Sequence, residues 1–120
     1  MPIRTIRVLV PDRVSVFTTG FNGIRVTPRV VGSDFDFRPI DFLISVDASG
    51  GPITGTLPSA IGSGQWFYCK KIDSSVNIVT IAAQTGDLID DSISVNLTDQ
   101  WSFVAVIDAA FQFWAVVTGF

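Results

Sequence analysis

The sequence predicts an all-β protein, an antiparallel sandwich or jelly-roll-like barrel of about ten short strands. Three observations lead there. Valine, isoleucine and threonine supply 15, 13 and 10 residues against five leucines, which favours strands over helices. All 11 acidic residues are aspartates, so glutamate, a good helix former, is missing altogether. Turn-forming clusters recur at short, regular intervals along the whole chain.

In chain order, Ile6 to Val10 is apolar at nearly every position and reads as a strand, ended by Pro11-Asp12. Val14 to Thr18 alternates, and Gly20-Phe21-Asn22-Gly23 forms a turn in which Asn22-Gly23 favours a type I′ hairpin. Ile24 to Thr27 alternates again until Pro28, which suits a sheet edge or a bulge, and Val30-Val31 close the segment. Residues 32–40 are looser, with Phe35-Asp36-Phe37 a short edge strand.

Asp41 to Val46 is the next strand, and Asp47 to Pro52 is the strongest turn cluster. Ile53 to Leu57 is a short strand stopped by Pro58, and Ser59 to Gly64 a connector or a single helical turn. Gln65 to Lys71 is an aromatic-rich strand, Asp73-Ser74-Ser75 a turn, Asn77 to Ala83 a strand and Thr85-Gly86-Asp87 another turn. After Asp90-Asp91, Ile93, Val95 and Leu97 share one face of a strand. Thr98-Asp99-Gln100 turns the chain into a strand from Trp101 to Ile107. Asp108-Ala109-Ala110 turns it again into Phe111 to Thr118, which pairs with the previous strand as a hairpin. These last two strands are apolar enough to expect cover on both faces. Their β-branched and aromatic residues argue against a helix over 105–117.

The length of 120 residues fits one domain spanning 1–120, with an arginine-rich part at 1–50 and a second part at 51–120 sharing one body. Charge is divided unevenly. Arg4, Arg7, Arg13, Arg25, Arg29 and Arg38 all fall in the first 38 residues against Asp12, Asp34 and Asp36, a formal +3. Residues 39–120 carry Lys70 and Lys71 against eight aspartates, a formal −6, and the two parts sum to −3. The six arginines are candidates for contact with an acidic partner surface, or are neutralised within the fold or between copies. Spaced arginines in a net-acidic chain do not suggest nucleic-acid binding.

Most enzyme chemistry lacks its residues. Histidine is absent and Cys69 is alone, within Trp66-Phe67-Tyr68-Cys69, so a buried inert thiol is expected and zinc is not. Asp34, Asp36, Asp87, Asp90 and Asp91 lack the spacing of a calcium loop. Asp90 and Asp91 are adjacent, so in a strand they point to opposite faces, while in a turn their separation is not set by the sequence, and no catalytic pair is expected. Gly50-Gly51 and Gly62-x-Gly64 lack the context of a phosphate loop, and no cofactor is expected. Asn96-Leu97-Thr98 matches a glycosylation pattern by chance. No secretory leader is expected, since no long apolar stretch follows Met1-Pro2-Ile3-Arg4, and no membrane insertion, since nowhere do 18 apolar residues run together. Trp66, Trp101, Trp114, Phe111 and Phe113 read either as core or interface residues or as a sugar-stacking surface.

From Leu57 to Gly119 the chain resembles a module of bacteriophage fibre and accessory virion proteins. The matching pieces are Leu57-Pro58, the strand ending in Lys70-Lys71, Ile72-Asp73-Ser74-Ser75, Asn77-Ile78-Val79-Thr80-Ile81, Gly86-Asp87-Leu88-Ile89-Asp90, Trp101 to Ile107, and Phe113-Trp114. Two features depart from that pattern: Asp90-Asp91 stands where Asp-Gly is usual, and Asp108 to Gln112 lacks the usual glycine or asparagine turn. The resemblance implies a non-enzymatic virion protein that is assembled in the host cytoplasm and forms a homotrimer. One implied role is a capsid decoration (cement) trimer on the phage major capsid protein, with the arginines facing the shell. The other is a small tail fibre or baseplate component that binds other tail proteins, a host receptor or a surface glycan.

Overall fold

A computed structural model describes residues 28–119; the strands expected at 6–10, 14–18 and 24–27, and the Asn22-Gly23 turn, lie outside these residues. The described chain is all strand, with no helix. Its ten strands are β1 Pro28–Val31, β2 Phe35–Asp36, β3 Leu43–Val46, β4 Ile53–Thr56, β5 Trp66–Lys71, β6 Val79–Ala82, β7 Leu88–Ile89, β8 Ser94–Leu97, β9 Phe103–Ala110 and β10 Phe113–Gly119. They form a six-stranded sheet ordered β1-β3-β5-β9-β10-β7 and a four-stranded sheet ordered β2-β4-β6-β8.

The antiparallel expectation is corrected here. Among the described strands, five pairings are parallel (β1 with β3, β3 with β5, β2 with β4, β4 with β6, β7 with β10) and three are antiparallel. From β1 to β9 successive strands alternate between the sheets. Two crossings return the chain to its starting sheet in its starting direction, so neighbours in a sheet run parallel without a helical crossover. A jelly roll, by contrast, is built of antiparallel strands. Only towards the C-terminus does the chain reverse, where β9 runs against β5, β8 against β6, and β10 returns against β9 as the expected hairpin.

Period-two alternation sends one set of side chains between the sheets. Phe67, Cys69 and Lys71 of β5 point inward while Trp66, Tyr68 and Lys70 face out, and β6 buries Val79 and Ile81 in the same way. Ile44 and Val46 of β3, Leu97 of β8 and Val104 and Val106 of β9 complete the layer. An aromatic chain runs through it: the ring centroids of Phe35–Phe37, Phe37–Phe67 and Phe67–Trp114 are 5.0, 4.9 and 5.7 Å apart. Phe35 lies so close over β4 that a Cβ at Gly55 would meet its ring at 2.3 Å. That contact needs glycine at this position.

Most elements match the expectation, with Pro28 and Phe35 on outermost strands among those described. Cover on both faces holds for the middle of β9, where Val104, Ala105 and Val106 are all buried. Three places differ. Asp108 to Ala110 extends β9 instead of turning, because the reversal occurs at Phe111-Gln112 with Gln112 in the left-handed region at φ 61°. Ile93 precedes β8 and is 73% exposed, so it does not share the buried face of Leu97. Trp101 opens no strand; it occupies a turn at φ 72°. In addition, Leu88–Ile89, not expected as a strand, pairs parallel to β10.

Candidate binding surfaces

Of the six candidate arginines, Arg4, Arg7, Arg13 and Arg25 lie outside the described residues. Arg29 and Arg38 converge on one buried carboxylate. Arg29 Nη2 donates to Asp41 Oδ2 at 2.8 Å and to the Asp36 carbonyl at 2.9 Å, and its guanidinium lies 5.7 Å from the Phe35 ring centroid. The Arg38 backbone N–H donates to Asp41 Oδ2 at 2.8 Å, and its Nη2 lies 3.4 Å from Oδ1. Asp41's side chain is fully buried, whereas Arg38's is 50% exposed. Arg29 therefore serves chiefly to neutralise Asp41, while Arg38 leaves half of its side chain exposed.

The other buried carboxylates tie distant loops together. Asp108 Oδ1 accepts from the backbone N–H of Ile61 and Gly62 at 2.9 and 2.7 Å, and Oδ2 accepts from Ser63 Oγ at 2.6 Å. Asp87 accepts from the Ala60 N–H at 2.9 Å. These bonds fix the connector over 57–65 against β9 and the β6–β7 turn. Lys71 is fully buried and its Nζ donates to Asp73 Oδ2 at 2.8 Å and to the Ser75 carbonyl at 3.1 Å. Asp73 also accepts from the Ala48 N–H at 2.7 Å and from Ser75. The β5–β6 turn is thereby latched to the turn after β3.

These bonds set the response to acid. At Asp41, Asp73 and Asp108 burial is the largest single influence and raises the pKa, but hydrogen bonds together outweigh it, so each carboxyl titrates below its usual range. At Asp41 the donors are the Arg38 N–H, Arg29 and the Arg38 side chain; at Asp73 they are Lys71, Ser75 and Ala48; at Asp108 they are Ser63, Gly62 and Ile61. Each folded pKa lies below its unfolded value, so the unfolded chain binds more protons as pH falls through this interval. The stabilisation is complete above an unfolded carboxyl pKa of about 4 and is lost progressively below it. With neither histidine nor glutamate present, no side chain with an ordinary pKa titrates between pH 5 and 7. The unfolding temperature is expected to hold steady across pH 5–7 and to fall below about pH 4. A marked fall between pH 7 and 5 in a thermal melt series would contradict this.

Cys69 is buried in the core, and burial pushes its thiol up to about 12, as expected for an inert packing residue. Among the described residues no group of three or more His, Cys, Asp or Glu side chains is arranged to hold a metal ion. Asp90, at φ 53°, accepts the Val116 N–H at 3.0 Å, while Asp91 is exposed beside Ser92. No helix of the described residues is long and apolar enough to cross a membrane.

The aromatic candidates divide. Trp114 is fully buried, and its Nε1 donates to the Pro58 carbonyl at 3.2 Å. Phe113 is half-buried, whereas Trp66, Trp101 and Phe111 are exposed by 39%, 55% and 75%. Phe111 forms an isolated bridge with Ile61, itself 70% exposed, at the β9–β10 tip. At the other end of β9, Lys70 Nζ lies 5.7 Å from the Trp101 ring centroid. Sequence reasoning did not pair Lys70 with Trp101, because nothing in spacing relates the end of β5 to the turn before β9. A signal for Lys71 was present: alternation from Phe67 places it on the inward face.

A scan against protein-family models finds no match, and a search of curated proteins finds no relative.

Proposed function

We propose that this chain is a structural virion protein: a bacteriophage capsid decoration (cement) subunit that assembles as a homotrimer and stabilises the head shell. The observation that carries the reading is the apolar tip made by Ile61 and Phe111, both more than two-thirds exposed. Scattered apolar side chains on a surface are ordinary, but here two lie together on a tip that buried Asp108 and Asp87 hold rigid. A rigid apolar contact of this kind suits burial against a neighbouring copy. The resemblance of residues 57–119 to phage fibre and accessory modules points the same way. In this reading the arginine-rich first part, with half-exposed Arg38, faces the acidic partner surface of the shell.

The test is co-sedimentation of the purified chain with tail-free phage heads, followed by cryo-electron microscopy of the decorated particles. The chain is expected at local symmetry axes with its arginine-rich part against the shell. Density showing that part turned away from the shell, or the chain bound only to tails, would overturn the proposal.

A further inference from the structure

We propose that Trp101 and Lys70 form a binding site for a carboxylated sugar, with the pyranose stacked on the indole and its carboxylate on the ammonium. This goes beyond the assembly role and rests on different residues. The turn Asp99 to Ser102 is held by the Ser102 N–H and Oγ, both donating to the Asp99 carbonyl at 3.1 and 2.6 Å. It is anchored to the end of β5 by the Trp101 N–H, which donates to the Lys71 carbonyl at 2.7 Å, and by Gln100 Nε2, which donates to the Ile72 carbonyl at 3.1 Å.

Within this fixed turn Trp101 adopts φ 72°, a left-handed conformation that suits glycine or asparagine at the third turn position and is costly for a bulky residue. The side chain does not offset that strain by burial, since it is 55% exposed. The Lys70 ammonium lies over its ring. Glycine would relieve the backbone strain here, and what tryptophan adds is a ring more than half open to solvent.

The chemistry of the ligand follows from the pair. An electron-rich indole face receives the apolar C–H side of a sugar ring, and the adjacent cation selects a carboxylate. Exposed Asp99 and Gln100 on the same turn offer acceptors for hydroxyls. A nucleic acid also stacks on tryptophan, but its run of phosphates needs several cations, and residues 39–120 hold only Lys70 and the buried Lys71. A second copy is better served by the Ile61–Phe111 tip, which lies beyond the far end of β9, a strand roughly 25 Å long at strand rise.

The experiment titrates the purified full chain with 3′-sialyllactose and with tri-galacturonate, using lactose as the neutral control, followed by tryptophan fluorescence and ligand-observed NMR. The two acidic probes separate a sialic acid from a uronic acid as the source of the carboxylate. At least one of them is expected to bind about tenfold more tightly than lactose. Trp101→Gly is expected to abolish binding without lowering the unfolding temperature, and Lys70→Gln to remove the preference for the acidic probe. Three results would each overturn the site: no binding of either acidic probe at millimolar concentration, unchanged binding by Trp101→Gly, or a change in oligomeric mass on that substitution, which would mark a protein contact. A loss of thermal stability in Trp101→Gly would overturn the argument that the residue serves a ligand and not the fold.

Discussion

Trp114→Ala is expected to destabilise the chain by about 3–5 kcal/mol, the range for removing a large buried aromatic. Trp114 is fully buried at the end of the aromatic chain, against Phe67 at 5.7 Å, and its indole N–H is held by the Pro58 carbonyl. The truncation opens a cavity between the two sheets and leaves that carbonyl without its donor. Trp114→Phe keeps most of the volume and loses the hydrogen bond, so its cost is expected to be smaller, about 1–2 kcal/mol. Denaturant unfolding measures both. A cost near zero for the alanine variant would place Trp114 outside the core.

The second large effect is expected at Asp73. Asp73→Ala removes the carboxylate partner of a fully buried ammonium and leaves the Ala48 N–H without its acceptor. An uncompensated charge in such a place costs about 3–5 kcal/mol. Adding Lys71→Met removes the stranded charge, so the double variant is expected to be more stable than Asp73→Ala alone. A double-mutant cycle by denaturant unfolding reads this directly. Strict additivity of the two costs would show that the pair does not act as a unit.

Much of the strand map was legible because alternation and turn chemistry are local. The strand over 66–71 and the turns at 47–52 and 73–75 follow from residues next to one another. Pairing direction was not legible. A short strand followed by a turn looks the same whether the chain folds back as a hairpin or crosses to the facing sheet, and here it crosses repeatedly. The Asp108 segment resembles a turn by composition, yet its carboxylate bonds to residues 61–63 and holds it in β9. That role depends on a segment more than 40 residues away. Trp101 misled for a related reason: aromatic residues favour strands, and only the backbone geometry reveals the turn.

The candidate site was legible in part. Trp101 and Phe111 were among the aromatics singled out, but burial decides between core and surface, and it sent Trp114 inward. The six arginines were legible as a charge bias, whereas the capture of Arg29 by Asp41 depends on packing of β1 against the loop before β3.

The central claim is that the exposed apolar tip is buried between copies of the chain. Sedimentation equilibrium of the purified protein tests it most directly. At micromolar concentration the expected mass is about 39 kDa, three copies of the 13.0 kDa chain, shifting towards one copy in Phe111→Ser. A wild-type chain that remains at 13.0 kDa up to high micromolar concentration would contradict the account.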